Sequence, residues 1–197
     1  MKRSDYKFSK VHNFLEPEQY KKLCDSLFKN YKVRPTIIID KGGNLIEDHS
    51  DMGRIRSYNN DIELFRKILP DPAVDLIYKL KGMVEQQGYT NLQPREYTFF
   101  YNPDSMDWHK DFNIENHPDH LRYVTFFTLS EVEGDHKIKF VVSPNKEGPG
   151  LWQIGFDEWI PVNTFISHIQ LMGHKYVKNP DNIPMHVFSV QWYELKP

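Results

Sequence analysis

The feature that most constrains this chain is a change of texture at Pro94. Downstream of it the apolar residues fall into short β-rich runs, at 97–101, 123–129, 137–142, 151–154, 160–166, 175–177 and 187–194. Turn residues separate most of these runs. Upstream, apolar residues recur at helical spacing instead. Helices first, then many short strands at near-regular intervals, predict an α+β fold: an antiparallel barrel or jelly roll buttressed by N-terminal helices.

The upstream half supplies the buttress. A short edge strand is expected at 6–11 and an amphipathic helix at 16–30. In that helix Tyr20, Leu23, Cys24, Leu27 and Phe28 share one stripe, and Pro17 sits where a first turn tolerates it. Residues 34–40 are β-branched and read as a strand. The stretch 42–53, with Gly42, Gly43 and Gly53 among several acids, reads as a polar loop. Two helices follow, at 62–69 and 73–87, separated by Pro70-Asp71-Pro72. Val74, Ile77, Leu80 and Val84 form the apolar stripe of the second. The simplest organisation is a single domain over 1–197, with 1–95 a mainly helical support region and 96–197 a jelly-roll core.

Within that core one triplet stands out, His109-Lys110-Asp111, placed after one aromatic run and before another. Residues i and i+2 of an extended strand point to one face, so the imidazole and carboxylate converge. His174 follows 63 residues after Asp111 and opens a further strand-like run. Two imidazoles and one carboxylate on one side of a metal form the facial triad of non-haem Fe(II) oxygenases, which leaves positions open for a cosubstrate and O2. His-x-Asp by itself is a weak signal. With nine histidines in the chain, chance supplies on the order of one copy. The copies at His49-Asp51 and His117-Asp119 read as solvated loop residues. His168 is the rival of His174 as distal ligand; the aliphatic strand after His174 favours the latter.

Composition sets limits on the rest. A net charge of −2 and the lack of a lysine/arginine cluster argue against a nucleic-acid or anionic-membrane partner. The charged N-terminus has no apolar run behind it, so no signal peptide is expected. Cys24 is the single cysteine. It cannot form an internal disulfide and is expected as a small buried hydrophobe, which suits a reducing, cytoplasmic setting where Fe(II) persists. The expected partner is a small-molecule or peptide substrate. Oligomeric state is not legible.

Several segments together resemble the prolyl-4-hydroxylase-like branch of the Fe(II)/2-oxoglutarate oxygenases, over most of the chain. Residues 11–27, VHNFLEPEQYKKLCDSL, resemble the strand and helix that open that branch. Arg56-Ser57 resembles its arginine–serine element, and 97–111 the strand that delivers His-x-Asp. Residues 122–129, RYVTFFTL, resemble the strand that comes next. Residues 133–140, EGDHKIKF, sit where the family often has a glycine turn and strand. Residues 160–177 resemble the segment carrying the distal histidine, and 187–193, VFSVQWY, the closing strand. The resemblance implies a double-stranded β-helix, a distorted jelly roll, with His109, Asp111 and His174 as ligands of Fe(II) and 2-oxoglutarate and O2 as cosubstrates. It implies hydroxylation of a C–H bond on a peptide side chain, an amino acid or a small polar metabolite.

One departure matters. The family places an arginine or lysine on the closing strand to pair with the far carboxylate of 2-oxoglutarate. Here that slot holds His186. Arg122 and Lys139 are the alternative sources of charge, and Tyr97 and Tyr101 are candidate hydrogen-bond donors to the cosubstrate, with core packing an equal reading for both. Two other readings stay open at this point: a cupin-like metal enzyme that does not use 2-oxoglutarate, and a non-catalytic binding relative.

Overall fold

The computed structural model describes residues 8–30, 35–59, 61–88, 92–100, 106–109, 121–143, 156–169, 173–177 and 179–194. Twelve strands are present among them. Four belong to the N-terminal half: β1 (Phe8–Val11), β2 (Pro35–Ile39), β3 (Leu45–Met52) and β4 (Arg54–Ser57). The other eight are β5 (Leu92–Phe100), β6 (Met106–His109), β7 (Leu121–Ser130), β8 (Lys137–Ser143), β9 (Phe156–Pro161), β10 (Phe165–Ile169), β11 (Gly173–Val177) and β12 (Met185–Glu194). Helices α1 (Pro17–Asn30) and α2 (Asp71–Gln86) and a 3-10 helix (Ile62–Lys67) complete the chain.

The strands form two sheets, as a jelly roll requires. The large sheet runs β1-β10-β7-β12-β5-β4-β2-β3 and the small one β6-β11-β8-β9. From β5 to β12 the chain passes repeatedly between them, so four strands of this core fall in each sheet. Every pairing is antiparallel except β2 with β4. The expected α+β jelly roll with helical support is the observed fold.

Contacts define what each face of the large sheet meets. Phe127 of β7 packs on Phe14 and Tyr20, Tyr97 of β5 on Phe65, and His186 of β12 on Phe28. This is the helix-covered face. Phe126, one residue from Phe127, meets Phe140 of the small sheet at a ring separation of 5.1 Å. The central strands are therefore buried on both faces: every residue from Tyr123 to Ser130 is buried. Leu23, Leu27, Val74, Ile77, Leu80 and Val84 join both layers into one apolar cluster, which includes the expected stripe of α2.

Three local expectations change. The polar stretch 42–53 is not a loop, because β3 occupies most of it as the sheet's outer strand. An edge strand needs no buried face, so its polar side chains hid it. The single strand expected at 160–166 is two, β9 and β10, in different sheets. Asn163 makes the turn with φ 56°, and its side chain is satisfied by the backbone of Leu15. Residues 97–100 of the expected aromatic run and His109 likewise belong to different sheets, in β5 and β6. The expected strand at 151–154 lies outside the described residues.

Candidate metal centre

The site is set by register. His174 of β11 lies directly opposite His109 of β6 in an antiparallel ladder. Directly opposed positions share a sheet face and bring their Cβ atoms within about 4.5–5.5 Å. Asp111 lies outside the described residues.

His174 is almost fully buried, with 1% of its surface exposed. Its imidazole stacks on Phe140, with ring centroids 5.8 Å apart and planes 7° apart, and meets Phe126 edge-on at 4.9 Å. Tyr176, two residues on and therefore on the same face, stacks on the other end of Phe140 at 6.3 Å. The third ring neighbour of His174 is His168 of β10, at 5.1 Å and equally buried. His168 thus adjoins His174 across the gap between the sheets, although β10 and β11 are consecutive in sequence.

The floor of the site follows from the ladders. His168 opposes Val124, Val124 opposes Gln191, Gln191 opposes Glu96, and Glu96 opposes Arg56. The neighbouring row runs Ile166, Phe126, Ser189, Thr98 and Arg54. Both rows share the face that meets the small sheet. They pass from histidine and phenylalanine, through the polar side chains of Ser189, Thr98 and Gln191, to a charged end. There Glu96 accepts from Arg56 Nε at 3.1 Å and faces Arg54 Nη1 at 3.7 Å. With strands about 4.8 Å apart, Arg56 lies about 19 Å from the His168 strand.

The same parity places the expected cosubstrate residues. His186 and Tyr97 face the helices rather than the small sheet. His186 is fully buried against Phe28, with Nε2 3.0 Å from Glu131 Oε1. Burial outweighs the glutamate and pushes its pKa down to about 4, so it is a neutral ring. Tyr97 packs between Phe65 and Phe188, and burial holds its phenol well above the usual range. Lys139 lies on the opposite face of β8 from Phe140 and pairs with Asp157 at 2.9 Å. The structure does not bring these three to His174. Arg122 has its backbone in β7, and Tyr101 lies outside the described residues. No local signal marks the aromatic cradle made by Phe126, Phe140 and Tyr176, since β7 has no alternation to read.

Of the three expected metal ligands, His174 is the one whose side chain is described. The backbone register sets positions 109 and 174 opposite one another, and the burial of His174 among aromatic rings gives dry, shaped surroundings of the kind a metal-ligating histidine has. Among the described residues no three histidine, cysteine, aspartate or glutamate side chains are grouped so that they could hold a metal ion. No described helix is long and apolar enough to cross a membrane.

No protein-family model matches the chain, and no curated protein resembles it significantly in sequence. Solved structures do share its fold. The non-haem α-ketoglutarate-dependent epimerase SnoN of nogalamycin biosynthesis superposes with a TM-score of 0.59 at 11% identity, covering 95% of this chain and 77% of that one. AviO1 from Streptomyces viridochromogenes gives 0.56 at 13% identity, covering 95% and 89%. A Pseudomonas putida prolyl-4-hydroxylase gives 0.50 at 12% identity, covering 98% and 95%. The chain therefore has the jelly-roll fold of 2-oxoglutarate/Fe(II) oxygenases.

Proposed function

We propose that this protein is a non-haem Fe(II)- and 2-oxoglutarate-dependent dioxygenase that hydroxylates a C–H bond of a peptide side chain, an amino acid or a small polar metabolite. One observation carries the reading: on this fold, His109 and His174 occupy opposed positions on paired strands of the small sheet. His109, Asp111 and His174 would hold the metal. Fe(II) held there would activate O2, the oxidant, with one oxygen atom going into the substrate C–H bond and the other into 2-oxoglutarate, which would leave as succinate and CO2.

The chain's own residues have simpler tasks. Phe126, Phe140 and Tyr176 hold the His174 ring in place and keep water from its buried side. Ser189, Thr98 and Gln191 offer neutral hydrogen-bonding groups on the floor, within reach of a bound polar ligand. Arg122 is the remaining candidate of three for the far carboxylate of 2-oxoglutarate. A cytoplasmic setting belongs to the same proposal and rests on Cys24 being the single cysteine.

A second reading, a jelly-roll metal enzyme that does without 2-oxoglutarate, is favoured by the orientation of His186 and Lys139 away from the site. Anaerobic titration of the Fe(II) protein with 2-oxoglutarate separates the two. A weak visible charge-transfer band that appears and saturates supports the dioxygenase. Iron bound with no band moves the assignment to the second reading, and a protein that binds no iron refutes both.

A further inference from the structure

The metal reading leaves one buried polar residue beside the site without a role. His168 projects from the large sheet onto the imidazole of His174, with ring centroids 5.1 Å apart and planes 51° apart. Both side chains are 1% exposed. Among the described residues, the rings of Phe126 and Phe140 also meet His174. A metal-ligating histidine almost always uses its other ring nitrogen on a second group, which fixes the ring's orientation.

We infer that His168 is a positioning residue for His174: its ring engages the His174 nitrogen that does not face the metal, and so sets the angle at which His174 is presented. This rests on the proposed dioxygenase reading, which also decides against His168 as a direct ligand. A fourth protein ligand would take a position needed by 2-oxoglutarate or O2. The fold gives the residue an unusual route to this task. His168 comes from β10 and is held by its pairing opposite Val124, with Phe126 5.6 Å from its ring. The large sheet thereby braces a ligand carried by the small one.

The test uses the full chain and Co(II), read by its visible absorption and by titration calorimetry. His168→Phe keeps a ring against Phe126 and removes the nitrogens. His168→Gln removes the ring and keeps hydrogen-bonding atoms. His168→Leu replaces the phenylalanine variant if thermal melts show that the larger ring unfolds the protein. The inference expects Co(II) affinity to fall about 10–100-fold in His168→Phe, with a shifted absorption band, and to recover to within a few-fold in His168→Gln. Unchanged affinity and spectrum in His168→Phe overturn it. Loss of binding in both variants to the level of His174→Ala makes His168 a ligand and also overturns it. Wild-type protein that binds no Co(II) defeats the metal reading itself, a result separate from any difference among the His168 variants.

Discussion

Asn163 offers the sharpest test of how the two sheets are tied to the N-terminal segment. It sits in the turn between β9 and β10 in the left-handed region, at φ 56°. Its amide makes two buried hydrogen bonds to one residue: Leu15 N donates to Oδ1 at 2.9 Å, and Nδ2 donates to Leu15 O at 2.7 Å. Asn163→Ala deletes both partners and strands two backbone groups beside a side chain only 5% exposed. Each stranded group costs about 1–3 kcal/mol. An alanine forced to keep the left-handed conformation adds about 1 kcal/mol, since asparagine tolerates that region better. The expected loss is about 3–7 kcal/mol. Asn163→Gly loses the same hydrogen bonds without the backbone strain, so it should be about 1 kcal/mol milder. Urea unfolding measures both, provided the slope is unchanged. A loss below about 1 kcal/mol in both variants refutes the account of the buried bonds. A glycine variant no better than alanine refutes the backbone part.

Three further outcomes are expected. Tyr97→Phe removes a buried hydroxyl that has no partner among the described residues; stability should hold or rise by about 1 kcal/mol, and 2-oxoglutarate affinity should not move. A loss of stability or of affinity on urea unfolding and ligand titration would contradict the placement of Tyr97 under the helices. His186 is neutral in the fold with its pKa lowered to about 4, so the unfolded chain binds more protons between that value and the ordinary one near 6.5. Its contribution is complete above about pH 6.5 and is lost as pH falls toward 4, by at most about 3 kcal/mol. Stability against pH should flatten over this window in His186→Gln, and an unaltered slope speaks against the assignment. Lys139→Met breaks a half-exposed pair with Asp157 on the outer face of β8. It should change stability by less than about 1 kcal/mol and leave 2-oxoglutarate binding alone, whereas a tenfold weaker ligand would put Lys139 in the site.

What could be read from the residues, and what could not, divides along one physical line. Helix α2 was legible because Val74, Ile77, Leu80 and Val84 repeat at the helical period and bury one stripe. The order of strands after Pro94 was legible because turn residues punctuate them. The choice of His174 came from the aliphatic strand that follows it, and the ladder then set it opposite His109. Facing, however, needs alternation, and β7 and β12 have none to offer. They lie between helices and a second sheet, so both faces are apolar and both parities look alike. Nothing local could say that His186 and Tyr97 turn toward the helices while Ser189 and Thr98 turn toward the small sheet.

The turn at Asn163 was hidden for a related reason: it lies in an apolar run, and its partner is Leu15, distant in sequence. The meeting of His168 with His174 is likewise a product of two sheets closing on each other. The sequence by itself determined the architecture and a short list of candidate metal ligands, because periodicity and ligand chemistry are local. Tertiary structure decided which residues meet between the two sheets, because a one-residue change of register moves every side chain of a strand to the other face.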